Sequence, residues 1–363
     1  VKPFFKHKFV RILVALIIIG ALVLGGFILY GKYRIGQIPA LSFQETLNYT
    51  AKNNADIVIT IGIVKNGERS YTVYGENGRE LPRQAHRYEI GSITKTFTAA
   101  LIDRAVDDGL VDLDAGIDTY LSLPEGNHYP TVNQLLTHTA GYDGWYFARP
   151  MIANFFKGRN SFYGVTKPMV LERVGALDMD KDEYAFRYSN FGYAVLGLVL
   201  EVVYNMDYTA LVNDFARQDL GLTHTNITDG NGDLGNDADW EPDDAYLSAG
   251  ALVSDIDDML SYAEMQLSDD TRFAACHEER ATIAEHRADY RAMDINMDAV
   301  GMAWIMDRKN NIIWHNGATP HYNGYLGFDP ATQTAVVVLA NVDGNYRIPA
   351  TVMGVKLMNA LRK

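Results

Sequence analysis

The chain has 363 residues, 48% hydrophobic and 21% charged, with a formal net charge of -13. That composition belongs to a globular protein with ample chain for a full core, and it excludes a low-complexity or disordered one. A single cysteine, Cys276, excludes an intramolecular disulfide framework and any C-x-x-C metal or redox motif.

Ile12 to Tyr30 is an uncharged apolar run of 19 residues, long enough to cross a bilayer as a helix. Lys2, Lys6, Lys8 and Arg11 precede it, while Lys32 and Arg34 follow. That asymmetry predicts the N-terminus inside the cell and everything beyond the run outside it. A cleavable signal peptide is the competing reading, but its apolar core is usually shorter, and no A-x-A site follows the run. No cysteine follows closely either, which excludes lipoprotein processing. The expectation is a signal anchor over residues 1–34, a juxtamembrane linker over 35–45 and one extracytoplasmic domain over 46–363. Beyond residue 34, 26 Lys and Arg stand against 45 Asp and Glu, a net charge of -19. So acidic a domain is unsuited to nucleic acid or to anionic lipid. It sets no limit on a small-molecule site.

After the linker, "DIVITIGIVKNGERSYTVYGENG" predicts two strands around a turn at Asn66-Gly67. A helix is predicted from Ser92, with Ile93, Phe97, Leu101 and Ile102 near one face; Gly91 marks its sharp entry. A short helix over 131–137, the loop "THTAGYDGW", an apolar helix over Phe191 to Val203, and a turn leading into an amphipathic helix within Ala245 to Leu267 follow. Strands return at Val300 to Met306, Asn311 to His315, Tyr322 to Phe328 and Thr334 to Asn341, before a last helix from about Ile348 to Leu361. Short turns make the closing strands antiparallel neighbours. The predicted fold class is α+β: an antiparallel sheet built from both chain ends, with a helical subdomain over about 103–295 between them. Asp229, Asn231 and Asp233 suggest a calcium loop, but Leu234 and Trp240 stand where its Gly and Glu belong. An acidic, solvated loop is the better reading.

Ser92 and Lys95 lie three residues apart in "YEIGSITKTFTAALI" and so share a helix face. A chance S-x-x-K is usually a capping serine followed by a solvated lysine. Here the flanks are apolar, and burying a lysine costs free energy unless something uses it. Burial also lowers its pKa and makes it a candidate base. Tyr188 and Asn190 form the only Tyr-x-Asn in the chain, and His315, Asn316 and Gly317 end a predicted strand. Taken singly, Tyr188 reads as a packing residue, His315 as a surface or satisfied histidine, and His138 in "QLLTHTAGY" as structural.

S-x-x-K, then Y-x-N, then H-x-G on a strand, in that order, resembles the serine β-lactamase and penicillin-binding protein superfamily. The likeness is closest to its class C β-lactamase-related branch of D-alanyl-D-alanine carboxypeptidases, D-aminopeptidases and esterases. "EIGSITKTFTAALI", "LLTHTAGY", "YSNFGYAVLG", "YLSAGALVS" and "GYLGFDPATQTAVVVLAN" look like family segments in family order, covering roughly residues 50–345. The resemblance implies a β-lactamase-like fold and an acyl-serine hydrolase. Ser92 would be the nucleophile, Lys95 its base, and Tyr188 the group that returns the proton to the leaving group. Asn190 would hold the Lys95 amine and bind a substrate carbonyl. The Ser92 backbone N–H would be one oxyanion donor; by resemblance Ala318 supplies the second, and the strand edge around Gly317 pairs with substrate.

Two residues depart from the family pattern. His315 stands where lactamases and many carboxypeptidases have Lys; mostly neutral near pH 7, it weakens selection for a substrate carboxylate, and by resemblance to the esterase and peptidase branches it would hydrogen-bond the Tyr188 hydroxyl. His321 stands where a small residue is common, which makes the rim more crowded or more polar. No G-x-S-x-G elbow, H-E-x-x-H, Walker loop or dinucleotide fingerprint is present. No metal or organic cofactor is implied. The expected activity is hydrolysis of a peptide, amide or ester, with cell-wall D-alanyl (peptidoglycan stem) peptide as the favoured substrate and β-lactam turnover less favoured. An esterase or D-aminopeptidase is the alternative. A non-catalytic relative that binds wall peptide or a β-lactam as a sensor is the rival from another class.

Overall fold

The computed structural model describes residues 36–179, 184–227, 232–235, 237–268, 271–284 and 287–362, with positions 13, 14, 16, 20 and 25 besides. The expected membrane span over 12–30 therefore lies outside the described residues apart from those five positions. Among the described residues no single helix is long and apolar enough to cross a membrane.

In chain order the strands are β1 (Ile59–Lys65), β2 (Glu68–Tyr74), β3 (Glu80–Leu81), β4 (Tyr88–Glu89), β5 (Val253–Ser254), β6 (Ala281–Thr282), β7 (Ala299–Val300), β8 (Ile305–Asp307), β9 (Ile312–Ala318), β10 (Asn323–Asp329) and β11 (Thr334–Ala340). β4 and β5 pair separately. The other nine form one antiparallel sheet in the order β3-β2-β1-β11-β10-β9-β8-β7-β6. The predicted β1–β2 hairpin is present: Asn66 and Gly67 both take positive φ, 53° and 79°, which matches the turn to the strand twist. The sheet's centre joins the two chain ends, with Ile59 opposite Ala340 and Lys65 opposite Thr334.

Helices cover both faces. On β11, Ala335, Val337 and Leu339 enter one core, and Val336, Val338 and Ala340 enter the other, the two-residue period of a strand. All seven β11 residues are buried, so the sequence TAVVVLA shows no polar alternation. The helices that matter for the site are α1 (Phe43–Ala51), α2 (Thr94–Asp107), α3 (Val132–Leu136), α4 (Pro150–Lys157), α5 (Lys167–Gly175), α6 (Asn190–Tyr204), α7 (Tyr208–Asp214), α8 (Leu247–Gly250), α9 (Ile256–Leu267) and α10 (Ala350–Leu361). α1 and α10 belong to the core on one face. The helical middle packs on the other face, with α2 in its interior: every residue from Thr94 to Asp103 is buried, as for a helix enclosed on all sides.

The sequence predicts one strand over 300–306, whereas the structure folds this stretch into a hairpin. β7 and β8 pair with each other, the Gly301 N–H donates to Trp304 O at 2.9 Å, and Ala303 takes φ 69°. The apolar run imitates a strand because Met302, Ala303 and Trp304 are fully buried in the turn itself. β9 also runs past the predicted end at His315 to Ala318. Asp229 and Asn231 lie outside the described residues. Asp233 takes the Arg87 N–H at 2.9 Å and lies 2.7 Å from His86 Nδ1, a binding role within the fold.

Candidate active site

Ser92 sits in a 3-10 turn, Gly91–Ile93, that runs directly into α2. Gly91 makes the entry possible. Its φ is +51°, and a Cβ there would lie 2.7 Å from the backbone nitrogen of Ala318. Gly317 is equally constrained: a Cβ would fall 1.8 Å from Ile90 O and 3.1 Å from the Ser92 nitrogen. Two glycines thus let β9 press against the helix entry, which brings the Ser92 and Ala318 backbones together. The Ser92 N–H belongs to a first helical turn, where it has no intrahelical partner. Negative charge is favoured at that end of the helix.

Lys95 follows one turn later and is fully buried. Its Nζ lies 2.9 Å from Ser92 Oγ, 2.8 Å from Asn190 Oδ1 and 2.6 Å from Ala249 O. Burial pushes the Lys95 amine well below its ordinary value, so the neutral form is favoured. A neutral amine has two N–H donors and one lone pair. Asn190 Oδ1 and Ala249 O only accept, so they use both donors. The lone pair is left facing the Ser92 hydroxyl.

Tyr188 completes the cluster. Burial pushes the pKa of its hydroxyl up, and the neighbouring Ser92 hydroxyl acts in the opposite direction. The phenol therefore keeps its proton. Lys95 Nζ also lies 5.1 Å from the Tyr188 ring centre and 5.6 Å from that of Tyr193.

The supports come from several elements. α8 carries the Ala249 carbonyl and is tied to α2: Thr98 Oγ1 donates to Ser248 O at 2.7 Å, and the Leu252 N–H donates to Thr94 Oγ1 at 3.1 Å. Ser189 caps α6 by accepting from the Gly192 N–H at 2.9 Å, and this sets Asn190 in the first turn. His138, expected to be structural, holds the same segment. Its Nδ1 accepts the Ser189 N–H at 3.1 Å, its carbonyl accepts the Arg187 N–H at 2.8 Å, and its ring centre lies 4.5 Å from that of Tyr188.

His315 is buried on β9, 2.6 Å through Nδ1 from Asn316 O. A carbonyl only accepts, so Nδ1 carries the proton. The Tyr188 hydrogen bond that the resemblance implies for His315 is not formed: Nε2 is buried without a partner, and the two ring centres are 6.2 Å apart. Burial, with the Lys95 charge second, pushes the His315 pKa down to about 3, so the ring is neutral. His321 is exposed and borders, with Tyr346, a smaller pocket that adjoins the Ser92 cleft at Pro320 and Asp343; His321 does not itself line that cleft.

A cleft of about 1010 Å³ opens over Ser92. Asn190, Ala249, Asn316 and Ala318 line it beside the serine, and α4 with the loop before it forms the far lip. Among the described residues no Lys or Arg lines this cleft, and Asp343 is its one ionisable carboxylate. The sequence reading did not single out α4 or the Ala249 carbonyl. The one grouping with metal-ligand spacing among the described residues is His224, Asp255 and Asp258. Its carboxylates are already engaged: His224 Nδ1 lies 2.7 Å from Asp255, and Asp258 accepts from the His224 N–H and Thr225 Oγ1.

A family model described as Beta-lactamase matches residues 55–351. Protein flp of Staphylococcus aureus (strain MRSA252) is 22% identical over 319 residues, which cover 79% of this chain and 60% of that protein. The chain thus spans 60% of the length of this curated relative. A beta-lactamase/D-alanine carboxypeptidase from Yersinia pestis, solved with citrate, has a TM-score of 0.70 at 19% identity, covering 91% of this chain and 99% of its own. A class C beta lactamase from Rhodobacter sphaeroides has a TM-score of 0.67 at 21% identity, covering 90% and 100%. At such identities the two structures speak for the fold alone, which is the α+β, β-lactamase-like arrangement expected from the motifs.

Proposed function

The chain belongs to the Beta-lactamase family, and from that premise we propose that it is a serine hydrolase of amides or esters that works through an acyl-Ser92 intermediate. The observation that carries this reading is the buried Lys95 Nζ, held by Asn190 Oδ1 and Ala249 O at 2.9 Å from Ser92 Oγ. Ser92 Oγ attacks the substrate carbonyl as its proton passes to Lys95 Nζ. The oxyanion that forms meets the Ser92 and Ala318 N–H groups at the start of α2. Tyr188 O–H donates to the departing nitrogen or oxygen and is reprotonated through Lys95. The net result is an acyl ester, with the serine proton on the leaving group. Water then attacks the ester, which releases the acid and restores Ser92. Asn190 and the β9 edge at Gly317 hold the substrate.

Two substrate readings fit this reaction. The likeness to carboxypeptidases, and an anchored domain facing the cell wall, support D-alanyl stem peptides, with the apolar run over 12–30 as anchor. The cleft favours the second reading: with no Lys or Arg among the described residues that line it and a neutral His315, those residues offer no cation to a terminal carboxylate. Esters and amides without that carboxylate fit better, and a substrate ammonium would meet Asp343.

Intact-protein mass spectrometry after rapid quenching with an activated ester or a penicillin tests the mechanism. One acyl adduct on the wild type, absent from Ser92→Ala, is expected. Hydrolysis retained by Ser92→Ala would sink both the acyl-serine route and its roles for Lys95 and Tyr188. A wild type that binds wall peptide but never turns over an ester or amide would favour the sensor instead.

A further inference from the structure

The far end of the Ser92 cleft is lined by Trp145, Phe147, Met151, Ile152, Phe155 and Phe156. On α4, Met151 and Asn154 face inward. Asn154 is nearly fully buried and donates to Tyr163 O at 2.7 Å and Ser161 O at 3.2 Å, which pegs the helix to the chain that follows. The adjoining side carries Ile152, Phe155 and Phe156, spaced i, i+3 and i+4 on one helical face. Phe155 and Phe156 are 82% and 81% exposed, and Trp145, Phe147 and Ile152 are each more than half exposed. A contiguous exposed apolar patch marks a binding site. This one shares a single cleft with the nucleophile, and the cleft is far larger than an acetyl or alanyl group requires.

We propose that the α4 lip is a subsite for a long apolar acyl chain, so that the substrate is a neutral ester or amide of a long-chain acid. This rests on the acyl-Ser92 reading. Three features select that occupant. The subsite is continuous with the place where the acyl group bonds Ser92. Its lining among the described residues is aromatic and aliphatic with no Lys or Arg, so nothing there recognises a charged end. Its open outer side accommodates chains of differing length.

The test is the kcat/KM of the full chain on p-nitrophenyl esters from two to ten carbons, each kept below its micelle concentration, for the wild type and the double variant Phe155→Ser, Phe156→Ser. In the wild type kcat/KM is expected to rise by about fourfold per buried methylene over part of the series. The ratio of ten-carbon to two-carbon rates is expected to fall at least tenfold in the double variant. A flat wild-type series, or the same ratio in both proteins, overturns the proposal. Flotation with phosphatidylcholine vesicles identifies the main rival: a variant that loses vesicle binding yet keeps the chain-length ratio makes α4 a membrane contact, not a subsite. Ser92→Ala separates the two levels of inference. Ester turnover that survives in it defeats the acyl-serine reading. Decanoamide binding to Ser92→Ala, read by tryptophan fluorescence and weakened by the double substitution, supports the subsite independently, and binding of equal strength with and without that substitution counts against it.

Discussion

On the floor of the cleft, Lys95 is wholly buried and its amine is held by three partners, Ser92, Asn190 and Ala249. At the lip, Phe155 and Phe156 stand in solvent with most of their surface uncovered. Leaving a buried polar group without a partner costs about 1–3 kcal/mol, so Lys95 and the groups that hold it fix one another. An exposed aromatic side chain answers to no such demand and is free to follow its ligand. On the proposed reading, chemistry is set where the structure is over-determined, and choice of substrate where it is not.

The sharpest way to break that contrast is Lys95→Met. Removing the base is expected to lower kcat/KM by about 10³-fold, within the range of general-base effects, with the fold retained by circular dichroism. Near-normal turnover would show that the buried amine is a packing feature. Next comes Gly317→Ala, whose Cβ would collide with Ile90 O. Prising β9 from the helix entry is expected to cost about 10²-fold in kcat by displacing an oxyanion donor, with a lower Tm from overpacking.

The pH profile sharpens the account of charge. Lys95 must be neutral to accept a proton, so kcat/KM is expected to rise with pH through the Lys95 pKa. Burial depresses that pKa, so the plateau should arrive well below the ordinary lysine value of about 10.4. The ionisable neighbours facing it stay out of the way: His315 is deprotonated above about 3, His138 is likewise pushed down by burial, and Tyr188 and Tyr193 are pushed up. A rise centred near the free-lysine value would mean a charged Lys95 and a different base.

Smaller effects lie behind and in front of the cluster. His138→Ala leaves the buried Ser189 N–H without its partner, which is expected to cost about 1–3 kcal/mol in denaturant unfolding, and it loosens Tyr188 enough to lower kcat by about tenfold. The smallest stability change is expected at the lip: Phe155→Ser should move unfolding by no more than about 0.5 kcal/mol. A large loss there would mean that α4 is part of the core and the contrast is false.

Much of the floor was legible because its residues form short local patterns. Ser92 and Lys95 share a face by helical spacing, and Tyr188 and Asn190 flank the Ser189 cap of α6. The Asn66-Gly67 hairpin was legible for the same reason. What escaped was non-local or chemically silent. The Ala249 acceptor is a backbone carbonyl, which no residue type announces. The partner of His315 depends on how its ring turns within the folded sheet. The β7–β8 hairpin hid in an apolar run because its turn is buried. α4 was not singled out, because the apolar octet "PMIANFFK" gives no sign of which way it will face.

The pairing of β1 with β11 has a consequence for biosynthesis. Ser92 is made early, while Gly317, Ala318 and the central strand β11 are among the last parts of the domain to be translated. Until they arrive, the sheet has no middle and the serine has no second backbone N–H beside it. Contacts between such distant segments close late in folding. On the proposed mechanism, a nascent chain therefore carries Ser92 without its second oxyanion donor until β9 and β11 have been made.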